Sequence, residues 1–203
     1  MFETIAIKDL EPDKPKTKEY SAIRKRMEQN LARPEKLHRY ATHEAGHLIY
    51  LMRTGLIVSP EEAIFKEPTI YWEDEHIYYF VAAVSSQQTT GPTIQYTKEF
   101  LDRLALVAVA ANVVEETLLG EDDETAIARE GDKRTLLSHC HRARRQNFVT
   151  FEGLTMWPCA REKVVEYLGS NRSELEMLVD LTKPLIFERC FGLDMSDVPD
   201  PSL

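Results

Sequence analysis

The sequence lacks any CxxC pair, and its cysteines, Cys140, Cys159 and Cys190, are odd in number. That excludes both a disulfide framework and a zinc knuckle, and makes a reducing, cytoplasmic setting the expectation. No apolar run is long enough to cross a bilayer, the longest being Leu104 to Val114 with Asn112 inside it. The N-terminus, MFETIAIKDLEPDKPK, has no basic stretch leading into an apolar one, so it does not read as a secretory signal. A surplus of cations is missing as well. Lys and Arg number 25 against 34 Asp and Glu, a net charge of -9. This argues against nucleic acid as a partner, because neutralising phosphates needs clustered positive charge. The local basic runs, Arg24-Lys25-Arg26 and Arg142 to Arg145, read as solvated faces or C-terminal turns of helices.

What is present is an ordinary globular composition, 43% hydrophobic and 29% charged over 203 residues, without repeats or low-complexity segments. The Pro- and charge-rich residues 1–16 read as an extended arm lying on the surface or on a neighbouring subunit. Residues 17–192 read as a single domain and 193–203 as a loose tail. Strong helix formers predict a helix over 17–32, and Pro34 opens a second one running to about Thr54, with Gly55 as its stop.

Between 62 and 85, β-branched and aromatic residues surround a turn-like EDE, which predicts a hairpin or small sheet with Pro68 at an edge or bulge. SSQQTTGPT reads as a polar loop. A long apolar helix should cover 97–119 and end at Gly120, with EDDETAIAREGD after it as a loop or short turn. Further helices are expected over 132–147, 158–169 and 171–190, with Pro158 near the start of the second. The fold class is therefore mostly α (α+β), with a small sheet inserted between the second helix and the long apolar one.

YATHEAGH lies on that second helix. At about 100° per residue, His43 and His47 differ by roughly 40° around the axis and project from one face, one turn apart. Two imidazoles so placed can bind one Zn²⁺ at about 2.0–2.1 Å each. Glu44 lies beside that face, in the general-base position of H-E-x-x-H peptidases. Ala45 and Gly46 are small and crowd nothing, although a helix-interior glycine costs about 1 kcal/mol relative to alanine and so needs a packing or functional reason. A catalytic zinc needs a third protein ligand and an open position. Asp132, Glu115, Glu116, His76, His139 and His141 are candidates, and spacing alone does not choose among them. His139 and His141, two residues apart, point to different helix faces, so at most one of them can join the site.

YATHEAGH, a strand-like segment, TKEFLDRLALVAVAANVVEETLLG and an acidic link into EGDKRTLLSHC follow one another over 36–145. In this order they resemble the zincin-like peptidase domain of the FtsH family of membrane-bound ATP-dependent metalloproteases. Glu115, Glu116 and Gly120 match that family's acidic pair and following glycine. The resemblance implies that His43, His47 and Asp132 hold Zn²⁺, that Glu44 activates water, and that Glu115 supports a ligand from behind. Two segments depart from the family. Ala110-Ala111-Asn112 stands where it has Gly-Gly-Arg, and REGD stands where an Asn-Asp pair is usual. No GxxxxGK[ST] occurs in the sequence and no transmembrane segment precedes the peptidase-like region, so neither a motor nor a membrane anchor is expected.

The activity so implied is zinc-dependent hydrolysis of peptides or unfolded segments without an ATPase of its own, as a homo-oligomer or docked on an ATPase in trans. The segment from His76 to Val84 is placed to hold an extended peptide by strand addition. A peptidase-like scaffold that binds metal or partners and associates with an ATP-dependent protease is the alternative. A third reading is a peptidase of another H-E-x-x-H clan, with Glu115 or Glu116 as the direct ligand.

Overall fold

The computed structural model describes residues 3–6, 29, 33–66, 69–73, 76–80, 83–90, 94–146 and 153–190. Almost all of the helix expected over 17–32, together with Pro68 and the tail 193–203, lies outside them. The described chain is mostly helical with two small antiparallel sheets.

Helix α1, Pro34–Arg53, begins where Arg33 is still extended, and Pro34 occupies its first turn, where a missing N–H leaves no bond unmade. Its end is set by Thr54 and by Gly55, whose φ of 68° is a left-handed conformation that suits glycine. Next come the short strand β2, Ile64–Lys66, the hairpin β3, Thr69–Glu73, with β4, His76–Phe80, and finally β5, Ala83–Ser85. β5 pairs with β2 in register Phe65↔Val84, and the hairpin pairs Tyr71↔Tyr78. Residues 3–6 of the expected arm form strand β1, Glu3–Ala6, which pairs with β3, giving a sheet of order β1-β3-β4.

The polar stretch after β5 differs from the expected loop. Gln87–Thr90 forms a single helical turn, α2, because Thr89 Oγ1 accepts from the Ser86 N–H and itself donates to the Ser86 carbonyl. Helix α3, Lys98–Leu119, is capped by Thr97, whose side chain accepts the Phe100 N–H, and it stops at Gly120.

The largest departure follows Gly120. The acidic stretch is no loop, because α4 runs unbroken over Asp123–Arg145. Asp122 caps it by accepting the Thr125 N–H at 2.9 Å, Asp123 and Glu124 place negative charge at the positive end of the helix dipole, and Gly131 is absorbed in its interior. Asp132 is therefore a mid-helix residue. Helix α5, Gly153–Ser170, starts earlier than expected, so Pro158 lies inside it. Helix α6, Arg172–Leu185, contains Pro184 and passes into a π-helical turn, Ile186–Cys190, so the regular helix expected to 190 stops short.

Helix α3 is the axis of the core. Leu101, Val109, Ala110, Ala111 and Val114 are fully buried, and α1 sets Leu48, Ile49 and Leu51 against it, each such side chain stabilising the fold by about 1.5–3 kcal/mol. α1 and α3 approach unusually closely at Gly46. A Cβ placed there would lie 2.8 Å from the Ala110 carbonyl oxygen and 2.7 Å from the Ala111 nitrogen, both backbone atoms. This contact is the packing reason for the glycine, and it brings the histidine-bearing face of α1 onto α3.

Candidate metal centre

Two helices converge on one point. α1 contributes His43 and His47, α4 contributes Asp132, and one ligand atom from each lies within 4.8 Å of the others. The Nε2 of His43 is 3.4 Å from Asp132 Oδ2, and the Nε2 of His47 is 3.3 Å from Asp132 Oδ1. Those spacings are longer than a good N–H···O hydrogen bond. Each is close to the edge of about 3.3 Å expected between two donors of a tetrahedron around a Zn²⁺ with bonds of about 2.0–2.1 Å, the two imidazoles facing different oxygens of the one carboxylate.

The far side of each imidazole is tied down. His47 Nδ1 donates to the Val107 carbonyl at 2.9 Å, and His43 Nδ1 donates to Glu115 Oε2 at 3.0 Å. Both partners are pure acceptors here, so Nδ1 carries the proton in the neutral rings and the Nε2 lone pair of each faces Asp132. A divalent metal needs that tautomer. The rings stand edge to face, 5.0 Å between centroids.

Asp132 is buried and accepts from Asn112 Nδ2 at 2.6 Å, a short, charge-assisted contact. Glu115, also buried, shares its other oxygen with Arg39 at 2.8 Å and Thr125 Oγ1 at 3.2 Å. Arg39 in turn grips Asp122, so one guanidinium joins α1, α3 and the start of α4. Glu44 is buried beside the cluster, and its Oε2 accepts the Val84 N–H of β5 at 2.8 Å.

Electrostatically the site asks for a cation. Burial alone would push the His43 imidazole down, but Asp132, Glu115 and Glu44 outweigh it and carry the group up to about 9. His47 behaves alike, burial opposing and Asp132 and Glu44 raising it. For Asp132, burial favours the neutral acid, yet His47, His43 and the Asn112 amide hold its carboxyl below the usual range. Three carboxylates thus surround two imidazoles, with Arg39 as the fixed positive charge. The residues present fit a divalent ion in donor type, spacing, tautomer and charge.

The other candidates lie elsewhere. Glu116 turns to Arg129 and Arg161, and His139 packs against Tyr96. His141 is exposed on α4, and the side chain of His76 lies outside the described residues. Glu115 meets the back of the His43 ring instead of the shared point. Sequence reasoning gave no part to Arg39, the Val107 carbonyl or the Val84 N–H. Arg39 had a signal, lying four residues before His43 on the same face of α1, whereas the backbone groups leave none. Among the described residues no helix is long and apolar enough to cross a membrane. No protein-family model and no curated protein matches the chain.

Proposed function

We propose that the chain is a zinc-dependent metallopeptidase of the FtsH peptidase type that hydrolyses peptides or unfolded segments. The observation that carries this reading is the convergence of His43 and His47 with Asp132, one ligand atom of each within 4.8 Å of the others, with a glutamate next in sequence to the first histidine. His43, His47 and Asp132 would hold the ion. When bound, Zn²⁺ supplies Lewis acidity toward the scissile carbonyl and brings the pKa of water toward 7.

Glu44 takes the proton of the attacking water and hands it to the departing amine. Val84 fixes the Glu44 carboxylate through Oε2, leaving Oε1 for that transfer. Glu115 and the Val107 carbonyl hold the imidazoles in the tautomer that leaves Nε2 free. Two imidazoles and one carboxylate also suit ferrous iron. The buried Glu44 beside them is what favours hydrolysis.

The test is metal analysis of the purified full chain together with cleavage of unfolded casein. Bound zinc and turnover that Glu44→Gln lowers by at least about 100-fold, with zinc retained, support the enzyme. Stoichiometric zinc without any Glu44-dependent cleavage would instead support a scaffold that kept the site.

A further inference from the structure

Asn112 is the single polar residue in the apolar run from Leu104 to Val114, and it is fully buried. Its Nδ2 donates to the Ala108 carbonyl at 3.2 Å and to Asp132 Oδ2 at 2.6 Å. Both partners accept only, so the amide orientation is fixed with the NH₂ toward them. Among the described residues its Oδ1 is left buried without a partner. An unsatisfied buried acceptor works against folding, and the Ala108 carbonyl already has a helical partner in the Asn112 N–H. As a packing element on α3, the residue is worse than an apolar side chain of its size. What it does that leucine cannot is hold the carboxylate of Asp132.

We infer that Asn112 is a positioning residue of the metal centre, turning the Asp132 carboxylate so that Oδ1 faces His47 Nε2 and Oδ2 faces His43 Nε2. This rests on the metal-site reading above. Asp132 comes from a different helix than the histidines, and its carboxylate rotates about two side-chain torsions unless something fixes it. With Asn112 in place each of the three residues has a partner behind it: Glu115 for His43, the Val107 carbonyl for His47 and the Asn112 amide for Asp132. Such partners set ligand orientation, and losing one commonly weakens metal binding about 10–100-fold.

The experiment is titration of the metal-free full chain with Co²⁺, read by visible absorption, and with Zn²⁺ by competition, for wild type, Asn112→Ala and Asn112→Leu. Thermal unfolding of each metal-free protein accompanies it. The expected result is a metal-free Asn112→Leu protein at least as stable as wild type, with metal affinity down about 10–100-fold and an altered Co²⁺ spectrum. Unchanged affinity and spectrum in the folded variants overturn the inference while leaving the metal site standing. Loss of the fold in both variants assigns Asn112 to structure and overturns it too. A wild-type chain that takes up no Co²⁺ sinks the metal reading itself, an outcome distinguished by needing no variant.

Discussion

The Nδ1 of His43 donates to Glu115 Oε2 across 3.0 Å, so an imidazole on one helix takes its tautomer from a carboxylate on another. The same carboxylate meets Arg39 through its other oxygen. A glutamate engaged on both sides, with the imidazole between it and the shared point, is placed to orient a ligand.

Substituting Asp132 and Glu115 separately by Ala should therefore give unequal losses of zinc. Glu115→Ala is expected to weaken binding about 10–100-fold, as removal of an orienting partner does. Asp132→Ala should be the more damaging because it deletes a donor atom. Competition with a chromophoric chelator measures both. The reverse order would make Glu115 the ligand and point to a different clan of H-E-x-x-H peptidase.

Metal should also stabilise the fold, because the donors converge from α1 and α4 only in the native state. Free zinc at about 100 times its dissociation constant adds about 2.7 kcal/mol by mass action. A chelator should then lower the midpoint of thermal unfolding in the wild type and leave Asp132→Ala nearly unmoved. An equal effect on both proteins would show that zinc acts elsewhere.

Gly46→Ala should destabilise the protein even though alanine is the better helix former by about 1 kcal/mol. Its Cβ meets backbone at Ala110 and Ala111, which cannot swing aside as a side chain can. Overpacking of this kind costs about 1–3 kcal/mol, occasionally more, and here it must part α1 from α3. Urea unfolding measures it. A gain in stability would mean that the two helices are not pressed together at this point.

The elements legible in the sequence were those with local signals. Pro34, Gly55, Thr97 and Gly120 mark the ends of α1 and α3, and both helices lie close to the expected spans. The start of α4 was misread because its first turns carry Asp and Glu, which resemble a loop by polarity. They are there because Asp122 caps the helix and negative charge suits its N-terminus. The interior Pro158 defeated a boundary rule that treats proline as a helix edge. At the site, the i, i+4 spacing of His43 and His47 put both rings on one face. The approach of Asp132, 85 positions beyond His47, is a tertiary fact that spacing could not supply. Asn112 was visible as a flaw in an apolar run, but its purpose needed α4 beside it.

The last prediction concerns a histidine remote from these ligands. His139 is largely buried, and its Nδ1 lies 2.9 Å from the Tyr96 hydroxyl in a hydrogen-bonded pair. Burial, then the Arg142 and Lys66 cations, push the imidazole down to about 4. An unfolded histidine takes its proton near pH 6.5. Between those values the unfolded chain binds a proton that the folded one refuses, so unfolding gains as pH falls. The contribution is intact above about pH 6.5 and is lost progressively toward pH 4, at most about 3 kcal/mol and less for a ring with partial access to solvent. Other groups titrate in the same window, so the useful quantity is the stability difference between wild type and His139→Gln. That difference should move in favour of the variant as pH drops from 7 to 4.5 in urea unfolding. A difference that stays flat across the window would mean that the folded protein accommodates a charged His139 beside Arg142 and Lys66.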